Sequence, residues 1–126
     1  MDKSVNTYSP LVLAYIGDAV YEIYVREHIV KEGNRRVNDL NKEARSFVSA
    51  KGQAKALEIL TPMFTEEESE IFRRGRNANS QTMSKHASVS EYRHATGLEA
   101  VVGYLHLLGR HERIRELMQA IFENEE

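Results

Sequence analysis

Two acidic residues interrupt apolar segments in which a charge requires an explanation. Asp18 lies in the apolar segment 15–20, and Glu99 lies in the apolar segment 97–102. A carboxylate placed where a helix packs is costly unless it is paired or binds a cation. The helical neighbours of both acids are small: Ala14 precedes Asp18 by four residues, and Glu99 has Ala95 and Gly103 four residues to either side.

Small residues on the faces that carry both acids would allow two helix backbones to approach closely. We therefore predict that the two helices cross here and present Asp18 and Glu99 to one hard divalent cation, since carboxylate oxygens with retained water are what magnesium prefers. The alternative is that each acid is half-exposed or paired with an arginine. Glu22, one turn after Asp18, is either a third oxygen ligand or a solvated surface acid.

A second candidate for chemistry is the basic segment from Arg73 to Arg93. Its local net charge is +4, which leaves −6 on the rest of a chain whose net charge is −2. Arginine forks match phosphate oxygens, and short polar side chains suit phosphate and sugar contacts. The loop at positions 76–87 of this segment lacks aromatic residues for stacking on single-stranded bases, so recognition of a duplex backbone fits better. A solvated basic face is the alternative.

The elements that would position these residues all read as helices. With 126 residues, a 41% apolar fraction and 29% charged residues, the chain suits one soluble domain with its own core. Helical spacing of apolar residues predicts helices from Pro10 to about Val30, after an Asn38 cap, from about Gln53 to Thr61, from Thr65 to about Gly75, from Ser88 to Gly109, and from about Glu112. The stretch 76–87 is predicted to be a long loop, with Arg74 and Arg76 on a flexible hinge at Gly75. No segment alternates as a strand would, so the predicted class is all-α.

Several classes of function have no support. The absence of cysteine excludes disulfides, thiolate zinc sites and cysteine nucleophiles. The chain carries no glycine-rich phosphate loop and no serine-hydrolase motif. The first residues lack the basic start and apolar run of a signal peptide, and the longest uncharged stretch is too short and too polar to span a bilayer. We therefore expect a cytoplasmic protein with no membrane partner.

Two segments resemble the ribonuclease III family in the form found in the Mini-III ribonucleases. The segment 13–22, Leu-Ala-Tyr-Ile-Gly-Asp-Ala-Val-Tyr-Glu, closely resembles the signature helix of that catalytic domain. The segments 72–78 and 96–104 resemble its loop and its second acidic helix. The resemblance covers nearly the whole chain and implies one catalytic domain over 1–126, with a ribonuclease III endonuclease-like helical bundle that forms a homodimer.

The same resemblance implies a function. Asp18 and Glu99 match the family's conserved acids, which makes them the catalytic and metal-binding residues for Mg²⁺, with Mn²⁺ as a substitute. The implied activity is an endoribonuclease that uses magnesium-activated water on double-stranded RNA, in the maturation of large-subunit (23S) precursor ribosomal RNA. The residues expected to bind the duplex come from the basic segment: Arg73, Arg74, Arg76, Asn77, Lys85 and His86.

One departure from the family pattern bears on the activity. Full-length ribonuclease III enzymes carry further acids where this chain has Leu11, Ala14 and Thr96. The alternative is therefore a non-catalytic RNA-binding or ribosome-assembly module on the same fold. A third possibility is a helical dimer that docks a protein partner through the basic segment. The aromatic-rich first helix is expected to form part of the dimer interface.

Overall fold

The computed structural model describes residues 5, 7–78 and 88–124, and within them every regular element is helical. Six α-helices follow one another, with a single 3₁₀ turn, at Thr61–Met63, between the third and the fourth. The α-helices are α1 (Pro10–Lys31), α2 (Val37–Val48), α3 (Ala50–Leu60), α4 (Glu66–Asn77), α5 (Val89–Leu107) and α6 (His111–Glu123). This confirms the predicted all-α class. None of the described helices has the length and apolar composition needed to cross a membrane.

Three helix starts follow the capping chemistry read from the sequence. The Ser9 hydroxyl accepts a hydrogen bond from the Val12 amide at 3.2 Å, and Pro10 occupies the first turn of α1, where it removes no intrahelical bond. Capping boxes open α4 at Thr65 and α5 at Ser88, each closed by the glutamate three residues later.

Two other predicted boundaries are wrong. Asn38 lies inside α2, because the helix already begins at Val37 after an Arg36 that makes no side-chain cap. Helix α3 begins at Ala50 rather than near Gln53, because the Ser49 hydroxyl accepts from the Gly52 amide and starts the helix earlier.

The predicted loop start and hinge are also wrong. Helix α4 continues through Arg76 to Asn77, so Arg74 and Arg76 are helical residues. Gly75 is buried, and a Cβ there would lie 2.9 Å from the Ala100 side chain and from the Gly97 backbone. This close packing against α5 fixes Gly75 in the helix. Positions 79–87 of the predicted loop lie outside the described residues.

Helix α5 is the centre of the bundle. Its residues from Ala95 to Leu105 are buried apart from Glu99, so the helix is enclosed on nearly all sides. Helix α1 crosses it where Gly17 meets Glu99 and Gly103 meets Leu13, and a Cβ on either glycine would overlap the opposing backbone. The predicted close crossing of the two acidic helices is thereby confirmed.

The first turn of α4 is tied to α6 by a buried ion pair. Glu68 accepts hydrogen bonds from the Arg113 guanidinium at 2.8 and 2.9 Å, and Arg113 also donates to the Met63 carbonyl oxygen at 2.7 Å. Glu67 of the same turn accepts from Tyr104 and Arg110. These contacts fix the orientation of α4 against the centre of the bundle.

Candidate active site

The crossing of α1 and α5 places Asp18 and Glu99 in one cleft. The cleft has a volume of about 440 Å³. Helix α1 supplies Asp18, helix α5 supplies Glu99, and the corner between α2 and α3 closes the third side. The lining residues are Leu11, Ala14, Tyr15, Asp18, Val48, Ala50, Gln53, Tyr92, Ala95, Thr96 and Glu99.

Glu99 is the more enclosed of the two acids. The pKa of Glu99 is raised to about 8, mainly by burial and also by the neighbouring Asp18 carboxyl, which acts through its charge and a shared hydrogen bond. The Gln53 amide opposes this shift, because it donates from Nε2 to Glu99 Oε2 at 3.0 Å and so favours the carboxylate. A negative charge at Glu99 is therefore costly unless a cation accompanies it.

No arginine or lysine among the described residues supplies that positive charge. Neither Asp18 nor Glu99 forms a salt bridge within the described residues, so the predicted alternative of arginine pairing is wrong there. The other part of that alternative, exposure to solvent, is correct, since Asp18 is exposed and Glu99 is half-buried. Glu22 is bound to Arg26 by a hydrogen-bonded ion pair at 2.9 Å, which is the behaviour of a surface acid. Its charge still contributes to the raised pKa of Glu99.

All three positions at which the family resemblance expects further acids face this cleft. Leu11 and Ala14 line it from α1, and Thr96 lines it from α5. The Thr96 hydroxyl is committed to its own helix, since it donates to the Tyr92 carbonyl oxygen at 3.0 Å. No group of three or more acid or histidine ligands is found among the described residues.

The donor set fits a hard divalent cation. Two carboxylates share one cleft, one of them is enclosed, and neither is neutralised by a neighbouring base in the described parts of the chain. Oxygen donors in this number suit Mg²⁺, which commonly binds through one or two carboxylates and keeps several waters. The catalytic and metal-binding roles of Asp18 and Glu99 stay predictions.

Four of the six predicted RNA-binding residues lie in the last two turns of α4. Arg73 is held by an ion pair with Glu70 at 2.6 Å, and both side chains are exposed. The Arg76 guanidinium lies over the Phe72 ring at 5.8 Å and donates from Nε to Asn77 Oδ1 at 3.2 Å. Arg74 is half-buried on the same helix. Lys85 and His86 lie outside the described residues.

A basic cleft joins the end of α4 to the start of α5. It has a volume of about 400 Å³ and is lined by Arg76, Asn77, Val89, Ser90, Arg93 and His94. Arg93 and His94 are absent from the predicted RNA-binding set, although Arg93 contributes to the basic charge of its segment. They follow Tyr92, which lines the acidic cleft, so consecutive residues of α5 face the two clefts.

Gln53 is the other residue that sequence reasoning missed. It is a polar residue in an amphipathic helix, and its spacing from Asp18 and Glu99 gives no signal of contact. Only the fold brings it against Glu99.

Comparison with known proteins identifies relatives along nearly the whole chain. The family model of the ribonuclease III domain matches residues 11–110. A Mini-ribonuclease 3 of Brevibacillus brevis is 46% identical over 122 residues, which cover 97% of this chain and 91% of that protein. A Mini-ribonuclease 3 of Symbiobacterium thermophilum is 49% identical over 114 residues, covering 90% and 88%.

A solved structure shares the fold. The crystal structure of a protein from Fusobacterium nucleatum superposes with a TM-score of 0.85 at 32% sequence identity, over 94% of this chain and 95% of that one. The helical order described above is therefore the fold of this relative as well.

Proposed function

Because the chain belongs to the ribonuclease III family and is an endoribonuclease, we propose that it hydrolyses phosphodiester bonds of double-stranded RNA at the Asp18–Glu99 cleft. The observation that carries the proposal is the placement, beside a basic cleft, of two acids in one cleft that form no ion pair with any described residue. Membership in an enzyme family favours this activity over both non-catalytic alternatives.

Asp18 and Glu99 are the residues that would hold Mg²⁺, or Mn²⁺ in its place. When bound, such a cation supplies Lewis-acid activation of water and neutralises charge on the leaving oxygen. The chain's own part is to hold both carboxylates on rigid helices. The close crossing at Gly17 and Gly103 fixes the separation of α1 and α5, and hence of the two acids.

The basic cleft would hold the duplex by its phosphates. Arg76 and Arg93 supply guanidinium groups, and Asn77 and Ser90 supply short polar groups suited to phosphate and sugar oxygens. Because α5 lines both clefts, a strand held by its phosphates against Arg93 would be positioned relative to Glu99 by one rigid element. The predicted contributions of Lys85 and His86 belong to the same proposal.

A homodimer is proposed because α1 presents an apolar surface to solvent. Tyr15 is 83% exposed and Ile23 is 56% exposed, and Val12 is also exposed on this helix. Apolar side chains grouped in this way mark interaction surfaces. Two-fold pairing through this surface would give one duplex two active sites, one for each strand.

The substrate proposed in the cell is precursor 23S ribosomal RNA, cut in the cytoplasm by the catalytic domain that residues 1–126 form. Support comes from the similarity to the Mini-ribonuclease 3 proteins, which extends over nearly the full length of both partners.

The test is cleavage by the purified protein. A long RNA duplex and its two separate strands are each incubated with the protein in Mg²⁺ or in EDTA, and the products are resolved on a denaturing gel. We expect cuts only in the duplex and only with Mg²⁺. Cleavage that persists in EDTA would contradict the metal assignment, and equal cleavage of single strands would contradict the substrate form.

A further inference from the structure

Gln53 brings a third helix to a site that otherwise consists of α1 and α5. It lies near the start of α3, it is 1% exposed, and it lines the cleft that holds Asp18 and Glu99. Glutamine is rarely buried to this extent, and a buried amide normally satisfies its hydrogen bonds.

Within the described residues, the side chain of Gln53 makes its hydrogen bonds through the amide nitrogen alone. Nε2 donates to Glu99 Oε2 at 3.0 Å and to the Val48 carbonyl oxygen at 3.1 Å. Both partners are acceptors, so the nitrogen of the amide must face them. The Oε1 atom is buried and has no partner within the described part of the chain. Glu99 and Val48 therefore set the orientation of the amide, and in that orientation the Oε1 atom is left without a hydrogen-bond donor.

The hydrogen bond to Val48 gives the amide a structural role, but that role does not account for the second hydrogen bond, to Glu99. An apolar side chain of similar length would bury no unpaired oxygen of its own, although it would leave the Val48 carbonyl oxygen without this donor. Val48 is the last residue of α2, where its carbonyl oxygen is beyond the reach of the helix's own amides. Gln53 therefore connects the corner between α2 and α3 to Glu99 by a hydrogen bond to Oε2 alone.

We propose that Gln53 is a positioning residue of the nuclease site, which holds Glu99 Oε2 so that the other Glu99 oxygen and the Asp18 carboxylate face the divalent cation. The inference rests on the proposed function, since it takes Glu99 as a cation ligand. Residues that orient metal ligands contribute strongly to metal affinity, and their loss typically costs about 10- to 100-fold in affinity or activity.

Gln53→Met tests the proposal, because methionine keeps the length of the side chain and removes the amide. Binding of Mn²⁺ is measured by calorimetry without RNA, and duplex cleavage is measured over a range of Mg²⁺ concentrations. We expect about 10- to 100-fold weaker Mn²⁺ binding and a matching rise in the Mg²⁺ needed for half-maximal rate. The KM for duplex RNA should stay within about twofold, because the basic cleft is untouched.

Leu57→Val is the matched control. Leu57 lies one turn beyond Gln53 on α3, is buried, and is not among the residues that line the Asp18–Glu99 cleft, so this substitution removes buried packing without removing a hydrogen bond to Glu99. If Gln53→Met binds Mn²⁺ as the parent does, or loses no more affinity than Leu57→Val, the proposal is wrong. Where Gln53→Met does not fold, Gln53→Asn keeps an amide that is one methylene too short to bridge both partners. A folded Gln53→Asn with parental Mn²⁺ affinity also overturns the proposal.

Asp18→Asn, measured in parallel, separates failure of this inference from failure of the proposed function. If Asp18→Asn loses Mn²⁺ binding and cleavage while Gln53→Met keeps both, the acids form the site and Gln53 does not position them. If Asp18→Asn itself binds Mn²⁺ and cleaves like the parent, the proposed site is wrong and the inference falls with it.

Discussion

Gly17 lies directly against the backbone of Glu99: a Cβ at position 17 would overlap the Glu99 carbonyl oxygen and come within 2.8 Å of the Gly103 amide nitrogen. The missing side chain therefore sets how closely α1 approaches α5. Because Asp18 follows Gly17 directly and Glu99 is the contacted residue, the same approach determines the separation of the two acids.

Gly17→Ala should push α1 away from α5. Backbone atoms cannot yield as a flexible side chain can, so we expect a loss of about 3 kcal/mol in the free energy of unfolding. Cleavage should fall more than the loss of folded protein explains. Urea unfolding and the cleavage rate at a temperature where the variant is folded measure the two effects.

Gly109→Ala is the control for that substitution. Gly109 has a φ of 76°, and a Cβ at this position would have nothing within 4 Å, so an alanine there meets backbone strain but no steric overlap. We expect a cost of about 1 kcal/mol and parental cleavage by the folded protein. Equal losses at both glycines would contradict the role of close packing at Gly17.

Glu99→Gln should lose cleavage activity and make the folded protein more stable at high pH. Burial and the Asp18 charge raise the pKa of Glu99 above the value it has in the unfolded chain. A raised acid pKa means that the folded protein holds the proton more tightly, so its stability falls as pH rises from about 4.5 towards about 8. Without divalent cation, Glu99→Gln should remove this part of the pH dependence and unfold at a higher temperature than the parent at pH 8.

Thermal melts across this pH range, in EDTA and in Mg²⁺, measure the effect. Glu22→Gln is the control, because Glu22 lies outside the cleft lining and is paired with Arg26. Mg²⁺ should raise the melting temperature of the parent and of Glu22→Gln, and leave Glu99→Gln unchanged. If Glu99→Gln is less stable than the parent at pH 8 in EDTA, the negative charge of Glu99 does not destabilise the folded protein, and the prediction is wrong.

Most of the helices could be predicted from local signals in the sequence. Helix α1 and the two capping boxes could be predicted, because the hydroxyl and glutamate of each box satisfy amides within four residues. The continuation of α4 through Gly75 could not be predicted, because glycine is a local helix breaker. Gly75 stays helical because it packs against Ala100 and Gly97, which are distant in the sequence. Tertiary packing there outweighs intrinsic propensity.

The site divides in the same way. Asp18 and Glu99 were visible because a charge between apolar neighbours is conspicuous, and small residues one turn away indicated a close crossing. Gln53 gave no such signal, since a glutamine in an amphipathic helix is expected at the surface. Its contact with Glu99 depends on how the corner between α2 and α3 folds onto α5.

Glu68→Gln should destabilise the attachment of α4 to α6. Burial by itself would raise the pKa of Glu68, but the hydrogen bonds from Arg113 and the Thr65 amide outweigh it and lower the pKa. The stability that this pair contributes is therefore present above the usual carboxyl pKa and is lost as pH falls through the lowered value. At pH 7 we expect a loss of about 1–3 kcal/mol, because glutamine keeps the helix cap but leaves Arg113 without its buried anion.

Chemical unfolding at pH 7 and at pH 4 measures that loss, which should shrink at the lower pH. Glu112→Gln serves as a comparison, because Glu112 also pairs with an arginine of α6 but is 86% exposed. A much smaller effect is expected there, since solvent screens exposed ion pairs. Equal effects of the two substitutions would show that burial of Glu68 adds nothing to its ion pair.

Arg74→Ala combined with Arg76→Ala should weaken duplex binding and reduce its salt dependence. Removal of one arginine–phosphate interaction should lower the slope of log affinity against log salt by about one. Binding is measured over a series of salt concentrations in Ca²⁺ or EDTA, so that cleavage does not interfere. Lys31→Ala with Arg115→Ala removes the same charge from a different groove, between α1 and α6, and should leave the slope unchanged. If the slope is unchanged in the α4 variant, these arginines do not bind phosphate and belong to a solvated basic face.

Tyr15→Asp should convert the proposed dimer into a monomer. Tyr15 is 83% exposed on α1 and also lines the acidic cleft, so a dimer formed through this surface would place the partner subunit beside each active site. An aspartate at the centre of an apolar interface reduces the apolar area that is buried and places a charge there without a partner, which raises the dissociation constant by orders of magnitude. Sedimentation of the parent and the variant over a range of concentrations measures this change.

Val37→Asp is the control, because Val37 is 68% exposed at the start of α2 and lies on a different helix. If Tyr15→Asp sediments as the parent does, α1 is not the interface, and the arrangement of one active site for each strand must come from another surface.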